Sequence, residues 1–291
     1  MSATDRFITL NNSTELTLHI REWPGEKRPF VLVHGLASNA RTWEAVAEHL
    51  ADAGHHVITL DQRGHGLSDK PDEGYDFATI TGDLAQLLDA LQLDHPILAG
   101  QSWGGNVMLE FGVRYPGRAC GLAFVDGGYL DLRSRPDPTW EKISAELRPP
   151  DLIGTPRASL KQKMQEFHPD WSEMGIEATL ANFETLPDGT IRPWLTLERH
   201  LKILRALWEQ TPTTLYANIT EPVLICAAED AKNPEWMKVK AKQVNAAHTQ
   251  IARVEVHWFE NTDHDIHVQK PIRLADLFLD ALAHGIWADC G

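Results

Sequence analysis

Short β-forming runs alternate with helical patterns along the first 126 residues, and this alternation limits the fold more than any other feature of the sequence. The run at residues 30–34 (FVLVH) is continuously apolar, as expected of a strand buried on both faces of a sheet. A helical stripe of apolar residues follows it, and Gly54 ends that helix. Strands and helices in this alternation form parallel sheets covered by helices. The sequence therefore predicts an α/β fold with a mostly parallel central sheet flanked by helices.

The same reasoning gives bounds for the individual elements of this fold. Strands are predicted at residues 6–10, 16–22, 30–34, 56–61, 96–100, 121–126, 222–227 and 253–259. The first two read as a hairpin. Core helices are predicted at residues 80–91, 103–114, 234–247 and 271–284, with one more between the third and fourth strands.

The alternation stops between about residues 129 and 218. Nine of the 17 prolines fall in this stretch, and helical patterns recur at residues 139–147, 158–167, 172–183 and 197–209. Apart from a turn signal at Asp188-Gly189, no strand of the parallel type is visible. We therefore predict a core domain formed by residues 1–128 and 218–291, and a helical cap domain formed by residues 129–217.

Charge and composition exclude several classes of function. Forty-one acidic and 27 basic residues give a net charge of −14, which disfavours nucleic-acid or membrane-surface binding. No signal-peptide pattern opens the sequence, and no apolar run reaches the length of a membrane span. Cys120, Cys226 and Cys290 are odd in number and widely spaced, which indicates neither a metal site nor a disulfide framework. We expect a cytoplasmic enzyme or small-ligand binder.

The motif Gly100-Gln101-Ser102-Trp103-Gly104 lies between a predicted strand and a predicted helix. The pattern G-x-S-x-G at such a junction forms a tight turn that exposes a nucleophilic serine, and the small glycines leave room for the turn. The G-x-S-x-G pattern alone arises by chance in roughly one in ten chains of this length, and the strand–turn–helix context gives it weight. Ser102 is therefore the candidate nucleophile.

With this motif, two further segments resemble the α/β-hydrolase fold family. His34-Gly35-Leu36 resembles that family's oxyanion loop, and residues 61–68 (DQRGHGLS) resemble its D-x-R-G-x-G-x-S segment. The inserted segment also stands where the family places its cap. The resemblance implies a capped serine hydrolase in which backbone N–H groups of Leu36 and Trp103 form the oxyanion hole for the carbonyl that Ser102 attacks.

The resemblance also implies a histidine base after the last strand and a carboxylate that orients it. His264 lies five residues past the last predicted strand, and His267 is the alternative. Asp230, which follows the strand at residues 222–227, is the expected acid. Asp126, after the strand that precedes the cap, and Glu229 remain alternatives. The chain order serine, acid, histidine is the one expected for this fold.

These parts predict a serine hydrolase of small to medium, apolar acyl or aryl esters that acts through an acyl-enzyme without metal or organic cofactor. Lactone, amide or carbon–carbon hydrolysis, perhydrolysis, and slow or absent turnover in a ligand receptor are the alternatives. No partner other than a small-molecule substrate is expected. Several large cap residues could line the substrate pocket or pack the cap against the sheet: Trp140, Met164, Phe167, Trp171, Met174, Trp194 and Trp208.

Overall fold

The computed structural model describes residues 2–11, 15–230 and 232–290, and this part of the chain contains ten strands and ten α-helices. The strands are β1 (Thr4–Thr9), β2 (Thr17–Trp23), β3 (Lys27–Val33), β4 (His55–Leu60), β5 (Ile97–Gln101), β6 (Gly121–Val125), β7 (Phe183–Thr185), β8 (Ile191–Pro193), β9 (Val223–Glu229) and β10 (Val254–Glu260).

The helices are α1 (Glu44–Asp52), α2 (Phe77–Ala90), α3 (Trp103–Arg114), α4 (Trp140–Glu146), α5 (Arg157–Phe167), α6 (Glu173–Leu180), α7 (Leu197–Glu209), α8 (Pro234–Gln250), α9 (Ile266–Gln269) and α10 (Pro271–Ala283). None of the helices within the described residues is long and apolar enough to span a bilayer.

Eight strands form one sheet in the order β1-β2-β4-β3-β5-β6-β9-β10. The pairs β1–β2 and β2–β4 are antiparallel, and the other five pairs are parallel, which confirms the mostly parallel sheet. The chain runs from β3 to β4 on one side and then returns to β5 on the other side of β3. In open α/β sheets, ligands bind beyond the carboxyl ends of strands at such a reversal. The loops after β3 and β5 therefore border the expected site.

The continuous apolar run in β3 reflects burial of both faces of this strand, as predicted. Phe30 and Leu32 pack in one buried cluster with residues of α1 and α10. Val31 and Val33 point to the other face, where they join a cluster with residues of α2 and α3. Because successive side chains of a strand alternate between faces, both faces of β3 must be apolar.

Helices α4 to α7 occupy the segment at residues 129–217, as the helical patterns indicate. One predicted helix extends further along the chain than the helix in the structure does. Residues 172–183 were expected to be helical, but α6 ends at Leu180, and Phe183 begins β7, which pairs with β8 as an antiparallel hairpin. The Asp188-Gly189 turn lies between these strands, with Gly189 at a φ of +80°. The division into core and cap domains stays a prediction.

The cysteines differ from the sequence-based expectation. Cys120 and Cys290 form a disulfide although 170 positions separate them, whereas Cys226 is free and buried in β9. Cys290 lies in a short helical turn at Ala288–Cys290 and bonds to Cys120, which directly precedes β6. Sequence spacing carries no information about such a long-range contact, so the inference that these residues form no disulfide was wrong.

Candidate active site

Ser102 lies between β5 and α3, in the strand–turn–helix that the motif predicts. Its φ of 54° and ψ of −121° are unfavourable for a residue with a side chain, and such strain is typical of functional turns. The turn is held by the Ser102 N–H, which donates to the Val125 carbonyl at 2.9 Å. Gly127 packs so closely that a Cβ there would lie 2.0 Å from the Ser102 carbonyl oxygen. The surrounding backbone therefore fixes the strained turn.

His264 lies between β10 and α9, and its ring contacts a carboxylate. The distance between His264 Nδ1 and Asp126 Oδ2 is 2.6 Å. An ionised carboxylate only accepts hydrogen bonds, so Nδ1 carries the proton. In the neutral ring, Nε2 is then the free base, which is the tautomer that a general base for a serine requires.

The carboxylate that contacts His264 is Asp126 and not Asp230, so the expected pairing is corrected. Asp126 is the first residue after β6, and its N–H donates to the Cys226 carbonyl of β9 at 2.7 Å. The Asp230 carboxylate instead accepts the backbone N–H of Lys232 at 2.9 Å. Glu229, the other alternative, is exposed at the end of β9. Both β6 and β9 end at the same edge of the sheet, and only the side-chain contacts distinguish their carboxylates.

Four donor groups make five contacts with the buried Asp126 carboxylate. Oδ1 accepts from Tyr129 Oη at 2.7 Å, the Ala228 N–H at 2.9 Å and Lys240 Nζ at 2.9 Å. Oδ2 accepts from Lys240 Nζ at 2.8 Å as well as from His264. Burial raises the pKa of Asp126, but the hydrogen bond and charge of His264 and the charge of Lys240 outweigh it and lower the pKa to about 2. Asp126 is therefore ionised at neutral pH.

The contact with Asp126 raises the pKa of His264, whereas it lowers the pKa of Asp126. Desolvation lowers the pKa of His264, whereas the hydrogen bond and charge of Asp126 raise it, and the net pKa lies above the ordinary 6.5. Lys240 opposes this rise. His264 therefore gains a proton at a higher pH than a free histidine does.

The other histidines near the site have structural contacts. His267 is buried in α9 against Trp43, with ring centroids 4.7 Å apart, and burial lowers its pKa to about 3. His34 accepts the Gln62 N–H at 3.0 Å, and so connects the loops after β3 and β4. His65 Nε2 lies 3.3 Å from the backbone nitrogen of Ala37. These contacts support loop geometry.

Leu36 and Trp103 both border the cavity that contains Ser102. Within the described residues, neither of their backbone N–H groups has a hydrogen-bond partner. The first N–H groups of a helix lack partners inside the helix, and Trp103 is the first residue of α3. A Cβ at Gly35 would lie 2.3 Å from the Gln101 side-chain oxygen, so the Leu36 loop packs directly against the turn. Two free donors thus border the cavity.

The Ser102 cavity has a volume of about 370 Å³, and Asp126, Lys240, Asp230 and His264 also border it. Five leucines of the segment at residues 129–217 form one apolar wall of it: Leu130, Leu132, Leu147, Leu204 and Leu207. The cavity is therefore closed on one side by the core loops and on the other by the inserted segment.

The large residues of the segment at 129–217 that the sequence analysis offered as pocket residues do not border the Ser102 cavity. Trp194 borders a neighbouring cavity of about 480 Å³, and His200 borders both. Trp140 and Trp208 contact each other, with ring centroids 6.4 Å apart. Phe167 is exposed. Leucines, which the sequence analysis did not single out, form the wall instead.

The family model described as "Alpha/beta hydrolase family" matches residues 30–277 of the sequence. The chain belongs to the alpha/beta hydrolase family. This confirms the family resemblance inferred from the motifs around His34, Asp61 and Ser102. Hydrolysis is accordingly the broad reaction class of this family member.

Proteins similar to this hydrolase include the 2-(acetamidomethylene)succinate hydrolase of Mesorhizobium japonicum, which is 28% identical over 232 residues, 79% of this chain and 81% of the relative. A crystal structure of E-2-(acetamidomethylene)succinate hydrolase superposes with a TM-score of 0.79 at 23% identity over 96% of this chain and 98% of that one. The esterase from Exiguobacterium antarcticum gives a TM-score of 0.72 at 19% identity over 96% and 100% of the two chains. The two structural matches establish the fold.

Sequence reasoning missed two residues of this alpha/beta hydrolase site, Lys240 and Tyr129. Tyr129 stands three positions after Asp126, and nothing in the sequence marks its contact with that carboxylate. Lys240 had a detectable signal. In α8 the buried positions are Lys240, Gln243, Val244 and Ala247, which is helical spacing, so the lysine occupies a position on the buried stripe. Lysines are almost never buried without a partner, and that placement indicates a nearby carboxylate.

Proposed function

We propose that this alpha/beta hydrolase is a serine esterase that cleaves small carboxylic esters with Ser102, His264 and Asp126. The observation that carries the proposal is the 2.6 Å contact between His264 Nδ1 and Asp126 Oδ2 beside the cavity that contains Ser102 in a strained turn. A neutral imidazole oriented by a buried carboxylate is the arrangement that activates a serine hydroxyl.

The reaction proceeds in two halves. His264 Nε2 takes the proton of Ser102 as its oxygen attacks the ester carbonyl, and the N–H groups of Leu36 and Trp103 stabilise the oxyanion. His264 then returns the proton to the leaving alcohol, and the acyl-enzyme forms. Water, deprotonated by His264, then attacks the acyl group, and His264 returns that proton to the Ser102 oxygen as the acid is released. Asp126 stays ionised throughout and stabilises the imidazolium.

The dimensions and lining of the Ser102 cavity favour small to medium acyl groups. Its volume of about 370 Å³ lies at the lower end of ligand sites. The leucine wall from the inserted segment suits an aliphatic or aryl group. A cytoplasmic location stays a proposal, to be weighed against the Cys120–Cys290 disulfide.

A second candidate activity is hydrolysis of an amide whose substrate carries a carboxylate. It is favoured by Arg135, which borders the Ser102 cavity and stacks on Trp236 with 4.8 Å between the guanidinium carbon and the ring centroid. The buried Arg135 Nε has no hydrogen-bond partner among the described residues, and the nearest carboxylate in an ion pair, Glu146, is 3.8 Å away. A guanidinium so placed can pair with a substrate carboxylate. The related hydrolase named for 2-(acetamidomethylene)succinate acts on a compound with both groups.

The decisive experiment measures initial rates on p-nitrophenyl esters from acetate to decanoate, with wild type and Ser102→Ala. Turnover by wild type, with the variant at background, supports the serine esterase and gives the preferred chain length. Activity that survives in Ser102→Ala contradicts it. If neither protein turns over any ester but N-acetyl enamides of dicarboxylic acids are cleaved by wild type, the amide candidate replaces it. Binding without turnover of either class would favour a ligand receptor.

A further inference from the structure

Lys240 is a buried cation beside the proposed catalytic residues, and its side chain is only 4% exposed. It extends from α8 to the ends of β6 and β9. Its Nζ lies 2.9 Å from Asp126 Oδ1, 2.8 Å from Asp126 Oδ2 and 2.9 Å from the Ala228 carbonyl oxygen. An ammonium group has three N–H donors, and three oxygens surround this one. Lys240 is therefore held in a single position.

These contacts separate Lys240 from a role in binding substrate. Because its donors are directed to Asp126 and Ala228, an anionic substrate group would have to displace one of them. Lys240 can then affect the reaction without contacting substrate, through the Asp126 carboxylate that it holds and through its positive charge near His264. The lysine and His264 share Asp126 Oδ2, at 2.8 Å and 2.6 Å, so two basic groups flank one carboxylate.

We propose that Lys240 is a positioning residue that fixes the Asp126 carboxylate and disfavours protonation of His264, so that a larger fraction of the imidazole is available as a base at neutral pH. The proposal rests on the proposed function of His264 as the base for Ser102. It assigns to α8 a part in the proposed catalytic site that none of the motifs in the sequence includes.

The electrostatic argument follows from the shared oxygen. Since both nitrogens contact Asp126 Oδ2, Lys240 Nζ and His264 Nδ1 are separated by no more than about 5.4 Å, the two contact distances placed end to end. At that separation and an effective dielectric constant of about 20, the repulsion between two positive charges corresponds to roughly two pH units. Solvent screening at the half-exposed His264 side chain reduces this, and we expect about one to two units.

Other charged groups also face His264. Asp126, from the end of β6, raises the pKa of His264 most after desolvation has lowered it, and Asp265, the next residue, raises it further. Lys240 lowers it. Arg135 from the inserted segment and Asp230 from the end of β9 border the same cavity. Lys240 thus opposes the effect of Asp126 and Asp265, the two carboxylates that raise the pKa of His264.

The test compares Lys240→Met and Lys240→Gln with wild type. Methionine keeps much of the apolar stem, and glutamine also retains a hydrogen-bond donor, but both remove the charge. Lys242→Met, an exposed position on the same helix, is the matched control. Two readouts are needed: NMR titration of the His264 ring, assigned with His264→Gln, and the pH profile of kcat/KM on p-nitrophenyl acetate.

Both Lys240 variants should raise the His264 pKa and the acid limb of the profile by about one to two pH units. Activity at pH 6 should then fall about 10-fold or more and recover toward the wild-type value at pH 9 and above. Lys242→Met should titrate as wild type does. A purely structural lysine would instead lower activity equally at every pH.

An unchanged or lowered His264 pKa in both folded Lys240 variants would overturn the proposal. If the uncompensated Asp126 charge prevents folding, Asp126→Asn and Asp126→Asn/Lys240→Met provide the same comparison, and removal of the lysine should again raise the pKa. The two hypotheses fail differently. Activity that does not depend on Ser102 would contradict the esterase proposal. The NMR titration tests the role of Lys240 without requiring any turnover.

Discussion

Asp126→Asn and Asp230→Asn form a matched pair, since each replaces one carboxylate oxygen with an amide group at the end of neighbouring strands. Asp126 accepts the His264 Nδ1–H at 2.6 Å. In the variant, an asparagine NH2 group occupies the position of that oxygen and donates a hydrogen bond, so Nδ1 must accept it. The ring proton then lies on Nε2, and Nε2 can no longer take the proton of Ser102. The corresponding loss in serine proteases is about 10⁴-fold in kcat, and we expect 10³- to 10⁴-fold here.

The Asp230→Asn change removes no contact to His264. Its carboxylate accepts the Lys232 N–H at 2.9 Å, and the asparagine carbonyl oxygen can accept the same bond. We expect kcat on p-nitrophenyl acetate within about threefold of wild type, because the Asp230 carboxylate makes neither a hydrogen bond nor an ion pair with the imidazole within the described residues. Stability should distinguish the variants too. Asp126→Asn leaves the buried Lys240 without its charge partner, which should cost about 3–5 kcal/mol of unfolding free energy.

The assay is steady-state hydrolysis at the pH optimum of each protein, with circular dichroism and urea unfolding to establish that each is folded. A folded Asp126→Asn enzyme with near-normal kcat, together with a 10³-fold loss in Asp230→Asn, would refute the assignment. It would show that the loop after β9 rearranges to bring Asp230 to His264 during turnover. Equal small losses in both would show that neither carboxylate orients the base.

Four further outcomes are expected. The acid limb of kcat/KM in wild type should have its midpoint above 6.5, since the pKa of His264 is raised and the base must be neutral; a profile flat to pH 4 would exclude this base. Dithiothreitol should lower the urea-derived free energy of unfolding by about 3–5 kcal/mol by opening the Cys120–Cys290 loop, and a double serine variant should not respond. His267→Leu should retain esterase activity and gain up to about 1 kcal/mol of stability, because both buried ring nitrogens lack partners among the described residues. Arg135→Met should reduce kcat/KM at least 10-fold for p-nitrophenyl hemisuccinate but not for the acetate, if the arginine binds a carboxylate.

Much of the core fold was predictable because the apolar pattern and the turn chemistry both act locally. Helix α3 begins at Trp103 and ends at Arg114 as predicted, and α7 spans Leu197–Glu209 as predicted. The Ser102 turn was predictable for the same reason: a glycine-flanked serine between a buried strand and a helix has few other conformations. The β7–β8 hairpin was missed, since its strands of three residues are too short to produce a clear alternation.

The acid partner of His264 could not be decided from the sequence. Asp126 and Asp230 both follow parallel strands of one sheet, and both therefore lie at its carboxyl edge. The difference lies in the side-chain donors that surround each carboxylate. Lys240 and Tyr129 reach Asp126 from α8 and from the start of the inserted segment, and they satisfy a carboxylate that is otherwise costly to bury. The donor set of a buried side chain depends on tertiary packing, so a residue pattern along one strand cannot predict it.

The Asp126–Lys240 pair also determines how the charge of the site changes during the proposed reaction. Before attack, the carboxylate and the ammonium cancel, and a neutral His264 adds no charge. Proton transfer from Ser102 makes the imidazole positive, so the three groups together change from neutral to a charge of +1 as the oxyanion acquires −1. The net charge of +1 on these three groups arises only when the oxyanion forms. It therefore stabilises the transition state more than it stabilises the bound ester. A site without Lys240 would start at −1 and end neutral, so it would repel a substrate carboxylate near Arg135 and would lack the net positive charge that stabilises the oxyanion. Loss of the lysine should therefore reduce kcat/KM on a hemisuccinate ester more than on an acetate.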